Sequence, residues 1–247
     1  MATGKLNVYL VRHGKTMFNT SRRVQGWSDT PLTNEGIEVA EFLGRGLREI
    51  PFDAVYTSDR GRTIETAGIV LRESNQAHLE INELRDFREF GFGKFEGEYE
   101  DIMFGRVMEH LGFRSMEEAF EKFGDDGYQI ISETVEKIDE TGMSENWDEM
   151  VARLKNALGT VSAENEVENA NVLVVSHGMA INTIISFFDK SLINPDLANA
   201  SVTRLGFENG EWTIETVNDL SYIEAGKLVL NYFTNLIQTG SGTFTSF

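Results

Sequence analysis

Two stretches of this chain end alike. LNVYLV at 6–11 runs into Arg12-His13-Gly14, and NVLVVS at 171–176 runs into His177-Gly178. Each is a short run of mostly β-branched and apolar residues, the pattern of a strand buried on both faces. Such strands belong to sheets covered by helices on either side. A buried strand does not ordinarily finish on side chains that can carry charge, so both tips demand a chemical reason.

The intervening sequence supplies the helices. Thr33 is placed to N-cap a helix with Glu35 in its first turn, and Ile37, Ala40, Leu43 and Leu47 follow at helical spacing, with Pro51 as the stop. PFDAVYTS reads as a second strand, and Ser58 or Asp59 as the cap of a helix whose inner face carries Ile64, Ala67 and Leu71. Strand, helix, strand, helix in series predicts βαβ units and a mostly parallel sheet. Trp147, Met150, Val151, Leu154, Leu158 and Val161 mark a long amphipathic helix, and Ile181, Ile184, Ile185 and Phe188 mark another. SVTRLGFENGEWTIETVN reads as a hairpin turning at Asn209-Gly210.

Residues 99–142 break the pattern. Acidic residues far outnumber basic ones, and EDIMFGRVMEHL and SETVEKIDE read as helices with one apolar stripe each. This is an acidic helical insertion, either a solvated excursion or a cap that shapes a binding site. The expected fold is therefore an α/β three-layer sandwich: a mostly parallel central sheet flanked by helices, with the insertion over its carboxyl edge. The whole of 1–247 is expected to form a single domain, with 99–142 as the cap insertion and 224–247 as a C-terminal extension.

In an open α/β sheet, ligands bind outside the carboxyl ends of the strands, where helix N-termini also point. If both strands lie in one parallel sheet, His13 and His177, two of only four histidines, open onto the same crevice. The net charge of −18 disfavours nucleic acid as a partner and opposes small anions at long range. Any anion site must then be a local concentration of Arg, His and backbone N–H groups. No cysteine is present, which excludes disulfides and thiolate metal sites. MATGKLNVYLVRHG lacks the basic and apolar regions of a signal peptide, and no run is long enough to span a bilayer. A cytoplasmic location with no membrane partner is expected.

Five blocks in order, VRHGKTMFN, RVQGWSDTPLTNEG, VYTSDRGRTIETA, FREFGFGKFEG and VVSHGMAI, resemble the successive signatures of the histidine phosphatase superfamily. Their order resembles the branch that holds cofactor-dependent phosphoglycerate mutases and related phosphatases. The resemblance covers roughly residues 5–98 and 145–223.

The resemblance implies a role for each matching residue. His13 corresponds to the nucleophile that accepts a phosphoryl group on a ring nitrogen. Arg12 and Arg62 correspond to the arginines that contact the phosphoryl oxygens, and Arg12 would discourage protonation of His13. His177 would complete that site, as an imidazolium when substrate is bound. Glu89 corresponds to the proton donor that later serves as base for water, and burial near Phe90 and Phe92 would suit the first task by raising its pKa. Asn19 corresponds to a phosphate contact, with a loop cap as its alternative. Gln25 and Gly26 lie on a loop that borders the substrate in relatives.

Thr16 is expected to orient the histidine loop, Glu96 to be structural and Arg60 to be a surface residue. Lys15 departs from the family pattern and adds a cation beside the mouth. His78 and His110 match no motif. No metal and no cofactor are implied.

Membership alone does not select the reaction. Mutases need extra basic residues after the glutamate to hold a second anionic group, and EGEYEDIMFGRVMEHLG is acidic. The expected activity is therefore a phosphomonoester hydrolase acting on a small phosphorylated metabolite. A phosphoglycerate mutase-type transfer is the enzyme alternative, and a non-catalytic phosphate-ligand-binding protein is the remaining one. EAGKLVLNYFTNLIQ is apolar enough to dock as a helix, by plain packing or as a lid.

Overall fold

The computed structural model describes residues 4–165 and 169–239. In chain order its elements are β1 (Leu6–Arg12), α1 (Met17–Ser21), α2 (Asn34–Gly46), β2 (Ala54–Thr57), α3 (Gly61–Glu73) and β3 (Ile81–Glu83), then α4 (Glu100–Leu111), α5 (Met116–Phe123), α6 (Gly127–Ile138) and α7 (Trp147–Glu164), and finally β4 (Asn171–Ser176), α8 (Gly178–Ser186), β5 (Val202–Glu208), β6 (Glu211–Asp219) and α9 (Ser221–Thr239). The strands form one sheet in the order β3-β2-β4-β1-β5-β6. The first four are mutually parallel, whereas β5 runs antiparallel to β1 and β6 to β5. Asn209 and Gly210 turn the β5–β6 hairpin, both at positive φ as a two-residue turn of this kind requires.

The inner strands are buried on both faces, as their composition predicts. Leu6, Val8 and Leu10 of β1 join Val172 and Val174 of β4 in a core closed by α7 and α8. Tyr9 and Val11 join Leu173 and Val175 in the opposite core, closed by α2 and α3. Fully burying one such side chain contributes about 1.5–3 kcal/mol. The two layers together fix the strand tips.

Helix ends obey the sequence signals in most places. Thr33 Oγ1 accepts the Gly36 N–H at 3.1 Å and caps α2. That helix stops at Gly46, well before Pro51, because α9 lies across it there. A Cβ on Gly46 would meet the Tyr222 carbonyl oxygen at 1.8 Å, and one on Gly226 would meet that of Phe42 at the same distance. The tail thus docks on α2 with its backbone nearly touching, and no described side chain of α9 lines the cavity over His13. Residues 240–247 lie outside the described residues. The expected cap of α3 is a correction: the N-cap is Arg60, with no side-chain bond, because Ser58 and Asp59 are drawn to tertiary partners.

Residues 99–142 form α4, α5 and α6 with their loops, standing over the carboxyl ends of β1 and β4. The excursion leaves the body at a bridge between Arg23 and Tyr99 and returns at one between Phe92 and Ser144. At the return, the Asp139 carboxylate accepts the backbone N–H groups of Lys94, Thr141, Met143 and Ser144. Among the described residues, no helix is long and apolar enough to cross a membrane.

Candidate active site

Parallel pairing of β1 with β4 in the register Arg12–Ser176 places His13 and His177 side by side, with ring centroids 5.3 Å apart. His13 is only 4% exposed. Its Nδ1 lies 2.8 Å from the Gly14 carbonyl oxygen and so carries the proton. Nε2 is left with its lone pair. Burial, then Arg62 and Arg12, hold the His13 pKa well below the usual range for histidine. The ring is held in its neutral form.

Arg62 enters from the first turn of α3 and is 1% exposed. Its Nη1 donates to Ser28 O at 2.8 Å and to Asp29 Oδ1 at 2.9 Å, and its Nη2 to Gly26 O at 2.8 Å. Its Nε and Nη2 also face His177 Nδ1, at 3.1 and 2.8 Å. A ring nitrogen that accepts from a guanidinium carries no proton of its own. His177 therefore donates through Nε2 to Ser58 Oγ at 2.8 Å, and Ser58 contacts Thr63 Oγ1 at 2.9 Å. In the free protein His177 is neutral, its pKa depressed by burial and by Arg62, so the imidazolium belongs to no unliganded state. Neither Arg62 nor His177 lines the cavity; both stand behind His13.

Glu89 follows β3 on an irregular segment and caps α8 from outside that helix. Its Oε1 accepts the Ala180 and Phe90 N–H groups at 2.9 and 3.0 Å, and its Oε2 the Met179 N–H at 3.0 Å. Burial raises its pKa against the pull of those donors and of Arg62. The backbone of Glu89 is itself clamped, since its carbonyl accepts from Trp27 Nε1 and from Arg153 Nη2, both at 3.0 Å. Arg153, from α7, also donates to the carbonyls of Asp86 and Arg88 and pairs with the buried Glu145. A Cβ on Gly178 would stand 3.6 Å from Arg12 Nε and 3.9 Å from Glu89 Oε2. The glycine keeps the ground between cation and carboxyl open.

A cavity of about 320 Å³ opens above His13, Arg12 and Glu89. Arg12 donates to Leu197 O, while its buried Nε–H has no partner among the described residues. An unmet buried donor costs about 1–3 kcal/mol, so this group is aimed at an acceptor from outside. Asn19 and Gln25 line the cavity. Asn19 Oδ1 closes the capping box of α1 with Thr16, and among the described residues no protein acceptor takes its amide hydrogens. The Gln25 amide lies 2.7 Å from Thr16 Oγ1 and fits its neighbours with nitrogen toward that hydroxyl and oxygen toward Thr30 N.

Other expectations change. Gly26 does not line the cavity; it is glycine because a Cβ there would lie 2.1 Å from Phe90 O. Lys15 pairs with Glu35 at 2.7 Å and stands off the cavity wall, so it is no cation of the mouth. Arg60 is half-buried, donating to Trp27 O at 3.0 Å. Glu96 is structural as expected, accepting the N–H groups of Gly26, Trp27, Ser28 and Phe92. His78 and His110 are exposed.

Sequence reasoning missed Ser58, Asp29 and Arg153. Ser58 and Asp29 sit inside the quoted blocks and could have been flagged as polar residues beside a strand tip. Arg153 interrupts the apolar stripe of α7, and with Glu149 four residues before it the sequence offers an ordinary surface ion pair in place of its buried role.

The family model of the histidine phosphatase superfamily (branch 1) matches residues 8–220. The chain belongs to that superfamily and is an enzyme of phosphate-ester chemistry. It is similar to the crystal structure of a phosphoglycerate mutase from Bacillus anthracis str. Sterne, with TM-score 0.87 and 40% identity over 92% of this chain and 98% of that one. It is 31% identical to a probable phosphoglycerate mutase, GpmB, of Erwinia tasmaniensis, over 89% of this chain and 95% of the relative. It also resembles Bacillus stearothermophilus YhfR, with TM-score 0.70 and 29% identity over 88% of this chain and 99% of that one.

Proposed function

We propose that the protein hydrolyses phosphomonoesters of small metabolites through a phosphohistidine on His13, without metal or cofactor. His13 Nε2 attacks phosphorus, and the bond from phosphorus to the alcohol oxygen breaks. Glu89, in the protonated form that its raised pKa favours, gives that oxygen its proton. Arg12 Nε–H meets a phosphoryl oxygen, and the Arg62 charge behind the ring favours the anion. His177 stays neutral behind His13: its Nδ1 accepts from Arg62 and its Nε2 donates to Ser58, which holds that guanidinium in place. Asn19 and Gln25 edge the phosphoryl group, with Gly26 shaping their loop. Glu89, now a carboxylate, takes a proton from water, whose oxygen attacks phosphorus. The N–P bond breaks, phosphate leaves and His13 is restored. The Gly14 carbonyl keeps the proton on Nδ1, so the ring leaves as neutral imidazole in that step.

The observation that carries hydrolysis over mutase transfer is the charge of the cavity wall. Besides Arg12 its one cation among the described residues is Arg23, and Arg23 is engaged by the Gly97 carbonyl and the Tyr99 ring. A mutase must hold a second anionic group, and among the described lining residues only this partly engaged Arg23 is left to meet one. The names of the relatives favour the mutase, so the experiment is comparative. With excess chelator present, the protein should release phosphate from 4-nitrophenyl phosphate, and H13A should abolish it. Interconversion of phosphoglycerates outrunning phosphate release would overturn the proposal. Retained ligand binding with no turnover on any ester would point to the non-catalytic reading.

A further inference from the structure

We infer that the alcohol accepted by this site is uncharged and largely apolar: an aromatic or medium-chain aliphatic alcohol esterified to a single phosphoryl group. The inference rests on the hydrolase reading above and adds the substrate class to it.

The wall facing the phosphoryl floor comes from the acidic insertion, yet the acids are not what it turns inward. Met103 and Phe104 of α4, Met116 and Phe120 of α5, and Ile131 of α6 line the cavity, with Phe92 opposite on the body. The acidic residues of these helices mostly face solvent. Besides the proton donor Glu89, the acid that reaches the cavity is Glu100, whose carboxylate would repel a second anionic group on the substrate. A carboxylate or second phosphate placed against the Met103, Phe104, Met116, Phe120 and Ile131 side chains would lose its water and gain no donor from them. An apolar group placed there gains what the wall offers.

Two details refine the class. The cavity, about 320 Å³, equals roughly ten liquid waters, enough for a phosphoryl group and one ring or about six carbons. Two of its wall residues are methionines on the cap, whose unbranched side chains repack around different shapes. Shape discrimination among apolar alcohols should therefore be weak while charge discrimination is strong. One polar anchor is present: the Tyr128 hydroxyl takes a long contact from Asn182 Nδ2 at 3.4 Å, and among the described residues no protein acceptor takes its proton. A lone carbonyl or ether oxygen on the alcohol is compatible with that hydroxyl.

The test is a series of straight-chain alkyl phosphates, ethyl to hexyl, against glycerol 3-phosphate and 3-phosphoglycerate, with phosphate release as the readout. Each buried methylene should raise kcat/KM about fourfold, mainly through KM, with the gain levelling near six carbons. 3-Phosphoglycerate should fall at least about 100-fold below hexyl phosphate. M116K should narrow that gap by raising turnover of 3-phosphoglycerate and lowering that of hexyl phosphate. The wild-type series decides the matter if that variant does not fold. A series that is flat or falls with chain length, while phosphate is still released, overturns the substrate class and leaves the hydrolase standing. Failure to release phosphate from every ester removes both.

Discussion

Two neutral, buried imidazoles should make this protein sensitive to mild acid. His13 and His177 are both depressed in the folded state, and the Nδ1 of His177 accepts from the Arg62 guanidinium. Unfolding returns each ring to a pKa near 6.5. Below that value the unfolded chain binds protons that the folded chain does not. The stability these rings contribute is fully present above about pH 6.5 and is lost as pH falls toward their folded values. Glu89 acts with the opposite sign: its raised pKa contributes stability at low pH that is lost as pH rises through the folded value. The measurement therefore belongs in E89Q. There, lowering the pH from 7 to 5.5 should cost about 1.2 kcal/mol per ring, or about 2.5 kcal/mol in all. With a urea slope near 2.5 kcal/mol/M, the midpoint should drop by about 1 M. Urea melts at both pH values, followed by tryptophan fluorescence, provide the number. Adding H13Q should remove roughly half of the loss. A double variant no less acid-sensitive than E89Q, or an E89Q midpoint that stays put, would refute the neutral pair.

Three further outcomes follow from contacts already described. R153M should unfold about 3 kcal/mol more easily, because it leaves the buried Glu145 carboxylate unpaired. R153M/E145Q should regain stability but not kcat, since the three carbonyls around Glu89 stay unclamped, and steady-state kinetics with thermal melts separate the two effects. E89Q should slow hydrolysis of an alkyl phosphate by about 10²–10⁴ and that of 4-nitrophenyl phosphate by less, because nitrophenolate leaves without a proton. G226A should cost about 1–3 kcal/mol by forcing α9 off the Phe42 carbonyl, with turnover unchanged below the melting range.

The fold was legible wherever the signal was periodic. LNVYLV and NVLVVS read as doubly buried strands because every residue of such a strand meets a core, and the shared His-Gly ending pointed to one crevice. The hairpin at Asn209-Gly210 was equally local. The cap of α3 was not legible, because the residues that look like caps are spent elsewhere: Ser58 on His177 and Asp59 on Arg88. Arg153 was invisible for a related reason. Besides Glu145, its partners are backbone carbonyls more than 60 residues away, and a carbonyl has no letter in the sequence. The apolar stripes of the cap helices were legible, but not that they line a cavity, since periodicity does not say what a stripe faces.

The chain leaves for the cap at Tyr99, one strand bridge from Arg23, and comes back at Ser144, one bridge from Phe92. Every residue to which we assign a phosphoryl role lies outside those two stitches. A one-residue slip in β1 or β4 would swing a histidine to the wrong side, whereas the segment between the stitches can lengthen, shrink or be exchanged with no strand register disturbed. The scaffold thus separates what evolution must hold still from what it can trade, and new alcohols can be tried against an unchanged phosphoryl machine.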